Sequence, residues 1–212
     1  MGVVSGLFVP GLAVRGRLYW PGVPADWLAL DPPPLGRARG RFDAYREWLT
    51  GELVARGRPV TLAGHSIGAA LAICTASERP DLVKRLILFS PAGLPLSKPL
   101  RSSFWLLARQ AFQGLYPARE VGFVVAETVK HPWLAHRLAR EAHELDLSEE
   151  LRRVAAAQIP TLVVGCVSDT LTTPPICRAI ADKLGGEFEQ VEGGGHTWML
   201  SDWLTFRAYL NR

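Results

Sequence analysis

The chain has 212 residues, of which 48% are hydrophobic and 21% charged, with a net charge of +4. That composition excludes a disordered chain, and the length suffices for one full core, so a single domain carrying an insertion is expected. The basic residues are scattered apart from the stretch Arg37 to Arg46, where no aromatics interleave as a nucleic-acid groove would need, and no apolar run approaches the ~20 residues of a membrane span. The expected partner is therefore a small-molecule substrate, with no nucleic acid and no membrane. Three cysteines, Cys74, Cys166 and Cys177, form no Cys-x-x-Cys, and the first two lie in apolar runs. They read as small core residues in a reducing compartment. The start of the chain lacks a basic signal-peptide region, and Gly6 stands where a myristoylation motif needs Ser or Thr, so a cytoplasmic location is expected.

Short apolar segments alternate with longer amphipathic ones, the pattern of a parallel α/β sheet. In chain order the spacing predicts strands at Val3–Val9 and Trp27–Leu30, a helix at Phe42–Arg56, a strand at Val60–Ala63 and a helix at Ile67–Ser77. Strands at Arg85–Phe89 and Thr161–Cys166, a helix at Pro174–Leu184, a strand at Phe188–Val191 and a helix at Asp202–Leu210 follow. Pro174 and Pro175 suit a helix start, and Ser201 is the expected N-cap of the last helix. Between Ser97 and Val154 the alternation stops. This stretch carries helical patterning, large apolar groups (Phe104, Trp105, Leu106, Leu107, Phe112, Tyr116, Phe123, Trp133, Leu134) and interrupting prolines. It reads as a helical insertion over the carboxyl edge of the sheet, with ordinary core packing as the alternative. The expected organisation is a core of residues 1–96 and 155–212 with a helical cap at 97–154.

The most informative stretch is Gly64-His65-Ser66-Ile67-Gly68, between an apolar strand and an Ala-rich helix. A sharp strand-to-helix turn lifts a serine hydroxyl out of the sheet and points free helix N–H groups at the same spot, and the two glycines remove the side chains that would clash there. Ser66 is the candidate nucleophile; the alternative is an ordinary serine on a tight turn. His65 is expected to point elsewhere. A serine hydroxyl needs a base, and the base needs a partner to fix its tautomer; on an α/β fold with such a turn the expected chain order is Ser, then Asp or Glu, then His. Asp169 stands just past the strand ending at Cys166, and His196 follows three glycines after the last strand. Both occupy loops at carboxyl ends of strands, where open α/β sheets build their sites. The competing readings are a turn aspartate ahead of Pro174 and a polar loop histidine. The other histidines fall in the insertion without a metal-binding spacing. For the oxyanion, the candidate donors are the backbone N–H groups of Ile67 and of Leu12, the latter in the loop beginning Pro10-Gly11. Tyr19, Trp20, Trp105, Phe123, Trp133 and Trp198 are candidates for an apolar substrate pocket; for Trp198 packing of the final helix is the leading reading and the pocket's edge the alternative.

Together these residues resemble the α/β-hydrolase superfamily over nearly the whole chain, in the Gly64–Gly68 elbow, the stretch Gly165 to Asp169 with Pro174, and Gly194-Gly195-His196. The resemblance implies an α/β-hydrolase fold with a reduced, mostly parallel sheet of about six strands in the order 2-1-3-4-5-6, lacking the usual N-terminal hairpin, plus the helical cap. It implies Ser66 as nucleophile, Asp169 as acid and His196 as base, with no metal and no cofactor. Three features depart from the family pattern. Pro10-Gly11 stands where His-Gly is usual, the gap from Gly165 to Asp169 is one residue longer than the commonest spacing, and the chain begins at the family's third strand. An exposed sheet edge leaves monomer and homodimer both open. The implied function is a serine hydrolase of a small or medium, largely apolar ester, thioester or lactone. The alternatives are carbon–carbon hydrolysis, perhydrolysis or aminopeptidase action on the same triad, or a non-catalytic small-molecule-binding protein. A serine at the elbow counts against dehalogenase and epoxide hydrolase chemistry, which use an aspartate there.

Overall fold

A computed structural model describes residues 4–11, 14–96 and 118–212, the side chains of 118–121 excepted. Six strands, β1 (Gly6–Val9), β2 (Trp27–Ala29), β3 (Val60–His65), β4 (Val83–Phe89), β5 (Thr161–Cys166) and β6 (Glu187–Val191), form one sheet in the order β2-β1-β3-β4-β5-β6. Every neighbouring pair is parallel. The near-continuous apolar strands are sorted by the two-residue period. Leu7, Val9, Leu62, Leu86, Leu88 and Val163 join one apolar cluster, while Phe8, Ala63, Ile87, Phe89, Leu162 and Val164 join the other. A parallel sheet is covered on both faces, and this is why its strands lack polar alternation.

The first face carries α2 (Phe42–Val54), α3 (Ile67–Glu78), α6 (Ser148–Ala156) and α7 (Pro174–Leu184). Small residues Ala69, Ala70, Ala72 and Ala76 let α3 lie close on the sheet, fully buried. The second face is closed by three short pieces, the 3-10 turns Gly16–Tyr19 and Gly195–Leu200 and helix α8 (Trp203–Leu210), through an aromatic cluster of Phe8, Tyr19, Phe89, Trp198, Phe206 and Tyr209. Helix α8 begins one residue later than the sequence predicts. Asp202, not Ser201, therefore holds the N-cap and accepts the Thr205 N–H at 3.0 Å, while the Ser201 hydroxyl bonds back to the Trp198 carbonyl.

Short α1 (Leu35–Ala38) precedes α2, and α4 (Ala118–Lys130) and α5 (Pro132–His143) pack on each other and on that α1–α2 corner. The expected cap boundary at 154 falls inside α6. That helix belongs with the sheet, since Leu151 and Val154 are completely buried in the first-face cluster and it packs against α3 and α7. All three cysteines are free and buried. Among the described residues no helix is long and apolar enough to cross a membrane.

The chain leaves β1 toward β2 on one side and later returns to β3 on the other, so the strand order reverses between β1 and β3. Open α/β sheets have their crevice at the carboxyl ends flanking such a switch point, and both Gly11 and Ser66 emerge there.

Candidate active site

Ser66 joins β3 to α3 with φ +55° and ψ −120°. A non-glycine residue there costs roughly 1–3 kcal/mol and persists only where its surroundings hold it. Its N–H donates to the Phe89 carbonyl at 3.0 Å, and its carbonyl accepts from Ala69 at 3.0 Å and Ala92 at 3.1 Å. The turn closes only over glycines. A Cβ on Gly64 would sit 2.5 Å from the Gly68 carbonyl oxygen, and one on Gly68 would sit 2.3 Å from that of Pro10.

The structure brings Ser66, His196 and Asp169 into one hydrogen-bonded line. His196 Nε2 is 3.0 Å from Ser66 Oγ, and His196 Nδ1 is 2.9 Å from Asp169 Oδ2. His196 and Asp169 are 1% and 2% exposed, so the pair is shielded from water. Burial alone pushes the Asp169 carboxyl up. The adjacent His196, together with hydrogen bonds from His196, the Leu171 N–H and Thr172, outweighs burial and holds it below the usual carboxylate range. The ionised carboxylate only accepts, so Nδ1 carries the ring proton and Nε2 is left with a lone pair facing the Ser66 hydroxyl.

Thr172 is a participant that sequence reasoning missed. Its hydroxyl lies 2.8 Å from Asp169 Oδ2, 3.1 Å from the Ser90 carbonyl and 3.2 Å from His196 Nδ1. Its N–H and that of Leu171 donate to Asp169 Oδ1 at 3.1 and 2.8 Å. The extra residue between Gly165 and Asp169 is thus absorbed in a turn that the carboxylate itself organises. The available signal was the run Asp169-Thr170-Leu171-Thr172, an aspartate followed by a hydroxyl residue at turn spacing.

Of the two candidate oxyanion donors, Ile67 is the first residue of α3, where backbone N–H groups have no partner within the helix. Leu12 lies outside the described residues. A cavity partly open to solvent lies beside Gly11 and Ile67, walled by Pro32 to Pro34, Phe42, Tyr45, Leu71 and Phe123. Among the described residues its charged lining is Arg15, which lies 4.2 Å over the Phe123 ring, and Glu127, whose carboxylate accepts the Leu35 N–H at 3.2 Å. Burial, then the nearby Glu127 charge, pushes the Tyr45 hydroxyl up to about 12.

Of the pocket candidates, Phe123 lines this cavity and Trp105 lies outside the described residues. The other four do not line it. Tyr19 and Trp198 are buried in the aromatic cluster under the sheet, because their segments close its second face. Trp20 and Trp133 are 64% and 82% exposed, their backbones turning them to solvent. Phe42, Tyr45 and Leu71 were hidden in the sequence because a helix periodicity cannot distinguish a core position from one facing a cavity. Among the described residues no cluster of three or more His, Cys, Asp and Glu side chains is placed to hold a metal ion.

The sequence model of the alpha/beta hydrolase family matches residues 7–208 of the chain. The chain is 27% identical over 171 residues to the RutD protein of Klebsiella pneumoniae (strain 342), whose name proposes a carbamate hydrolase. That match takes in 70% of this chain and 63% of the relative, so the chain spans under two thirds of the curated relatives' length. Among solved structures, the N-acyl homoserine lactonase AidH, in complex with N-hexanoyl homoserine lactone, superimposes with a TM-score of 0.76 at 16% identity, covering 98% of this chain and 88% of that one. A hydrolase from Oleispira antarctica gives 0.76 at 16% identity, covering 100% and 93%. At these identities the two structures speak to the fold.

Proposed function

The chain belongs to the alpha/beta hydrolase family, and on that premise we propose that it is a serine hydrolase that cleaves small or medium, largely apolar esters, thioesters or lactones through an acyl-enzyme. The observation that carries this reading is the unbroken hydrogen-bond line from Ser66 through His196 to Asp169, aimed at a helix N-terminus and bordered by an apolar cavity.

The steps follow from the protonation states. The Ser66 hydroxyl gives its proton to His196 Nε2 as Oγ bonds to the substrate carbonyl carbon. Asp169 stays ionised and stabilises the imidazolium. The carbonyl oxygen, now an oxyanion, takes hydrogen bonds from the backbone N–H of Ile67 and, in this reading, of Leu12; losing one such donor typically costs on the order of 100- to 1000-fold. His196 returns the proton to the leaving oxygen or sulfur as that bond breaks. Water then enters, gives a proton to His196 and attacks the acyl carbon, and the proton passes back to Ser66 Oγ as the acid leaves. The cavity beside Ile67 supports an apolar acyl group, with α4 and α5 as the cap above it. The relationship to RutD supports including carbamates in any substrate panel, since the same steps serve a carbamoyl carbon.

Turnover of p-nitrophenyl esters of rising acyl length, with fluorophosphonate labelling of wild type and Ser66→Ala, tests the reading. Turnover and labelling that vanish in Ser66→Ala are expected. Equal rates in the two proteins exclude Ser66 as nucleophile, and a wild type that neither labels nor turns over any acyl substrate returns the chain to the non-catalytic binding alternative.

A further inference from the structure

The residue before the proposed nucleophile takes no part in these steps, yet it is buried against three separate pieces of the site. His65 is 3% exposed. Its Nε2 lies 2.9 Å from the main-chain oxygen of His196, and its Nδ1 lies 2.9 Å from the hydroxyl of Tyr19. Its ring centroid is 4.9 Å from that of His196. On the oxyanion side, a Cβ on Gly11 would come 3.1 Å from His65 Nδ1, so the loop after β1 rests directly on this ring.

Hydrogen-bond chemistry leaves one arrangement. A carbonyl oxygen only accepts, so Nε2 must carry the proton that meets it. In a neutral ring Nδ1 then has the lone pair, and the Tyr19 hydroxyl donates to it. Burial, then the neighbouring His196, depresses the His65 pKa to about 3; the opposing pulls of the His196 carbonyl and of the Asp169 charge are smaller. The groups facing His65 are thus Tyr19, His196 and, at longer range, Asp169. None of them charges it at working pH, and a charged ring here would repel the imidazolium that His196 becomes during the reaction.

We infer that Tyr19 and His65 are positioning residues: Tyr19 holds His65 as the neutral Nε2–H tautomer, and His65 holds the main chain of the base loop so that His196 Nε2 stays in line with Ser66 Oγ. The kinetic consequence rests on the serine-hydrolase reading; the tautomer does not. The role explains why a polar ring ends β3 in a buried position, and why Tyr19 packs under the sheet with its hydroxyl turned toward the site. His65→Leu keeps most of the volume and removes both hydrogen bonds. His65→Gln keeps a donor for the carbonyl and an acceptor for Tyr19.

The experiment pairs steady-state turnover of p-nitrophenyl butyrate with nitrogen-15 NMR of the histidine rings. Displacing catalytic groups by about 1 Å costs on the order of 100-fold. His65→Leu is therefore expected to lower kcat by about 10- to 100-fold with KM within about twofold, and His65→Gln to recover most of that loss. Tyr19→Phe is expected to lower kcat by several-fold, and to let a second His65 tautomer appear. In the wild type, His65 should show a protonated Nε2 and an unprotonated Nδ1 from about pH 5 to 8. A protonated Nδ1 in that range, or a His65→Leu protein with wild-type kcat, overturns the proposal. If His65→Leu does not fold, a His65→Gln kcat lower than that of Tyr19→Phe overturns it equally. A wild type inert to esters and to fluorophosphonate sinks the hydrolase reading instead, and the tautomer alone then decides the pair.

Discussion

The floor and the roof of the site are held by different physics. On the floor, Asp169, Thr172 and His196 are almost wholly buried and tied to one another, to Ser66 and to the end of β4 by short hydrogen bonds. Beside the cavity, α4 and α5 are half-exposed helices that reach the core through buried Leu138, with Ala135 and Ala142 beside it, and through two carboxylates. Glu127 accepts the N–H of Leu35 and Glu141 accepts the N–H of Phe42 at 2.8 Å, the first residues of α1 and α2. Neither of those helices has a side-chain cap of its own, so the α4–α5 pair supplies both. The floor is rigid because every group has several partners. The roof is anchored by the Leu138 side chain and by these two caps on the α1–α2 corner, apart from the buried hydrogen-bond network of the floor.

The sharpest way to break the floor is Asp169→Asn. The amide no longer fixes the His196 tautomer, and kcat is expected to fall on the order of 10⁴-fold with little change in KM. A loss under tenfold at saturating ester would show that another group orients the base. Thr172→Val comes next. It removes the hydroxyl that donates to Asp169 and lies against the Ser90 carbonyl, costing about 1–3 kcal/mol of stability. Its pH dependence has a definite sign. A carboxyl held below its ordinary pKa stabilises the fold above that ordinary value, and this contribution disappears as pH falls through the folded-state pKa. Taking the Thr172 bond away raises the folded-state value, so denaturant unfolding followed from neutral to acid pH should show the variant losing stability at higher pH than wild type. Thr172→Ser should restore the wild-type profile.

On the roof the effects are smaller and more local. Glu127→Gln with Glu141→Gln is expected to cost about 1 kcal/mol per cap. Protease cleavage within α4–α5 should accelerate several-fold, while Tm falls by only a few degrees and kcat is kept. Burial pushes the Glu141 carboxyl up, but the Phe42 N–H, Arg137 and Arg41 outweigh it and hold it below the usual range. Its contribution is therefore present at neutral pH and lost as pH falls through that lowered value, so wild type in acid should approach the cleavage rate of Glu141→Gln alone. Phe123→Ala has the mildest effect. It enlarges the cavity beside Ile67 and should move the best p-nitrophenyl ester to a longer acyl chain; an unchanged chain-length profile would separate this cavity from the acyl group.

The alternation of apolar runs and amphipathic segments determined the order of elements, and the two-residue period within strands such as Val83–Phe89 determined which side chains meet which face. The Gly64–Gly68 elbow was legible because sharp turns leave local marks, glycines at the positions where a Cβ would strike backbone. Asp169 and His196 were legible as loop residues after strands, since parallel topology sends every such loop to the same edge. What the sequence could not carry were relations between segments far apart in the chain. Tyr19 reads as a pocket aromatic until β1 and α8 close around it. Ser148–Ala156 reads as cap until α3 and α7 are seen to bury Leu151 and Val154. His65, the two capping glutamates and the contact of Thr172 with the Ser90 carbonyl depend on partners brought within about 3 Å by the tertiary fold. Periodicity and turn chemistry act over a few residues and are written locally. A hydrogen bond between residues 131 positions apart, such as that from His65 to the His196 carbonyl, exists only once the sheet has set its loops side by side.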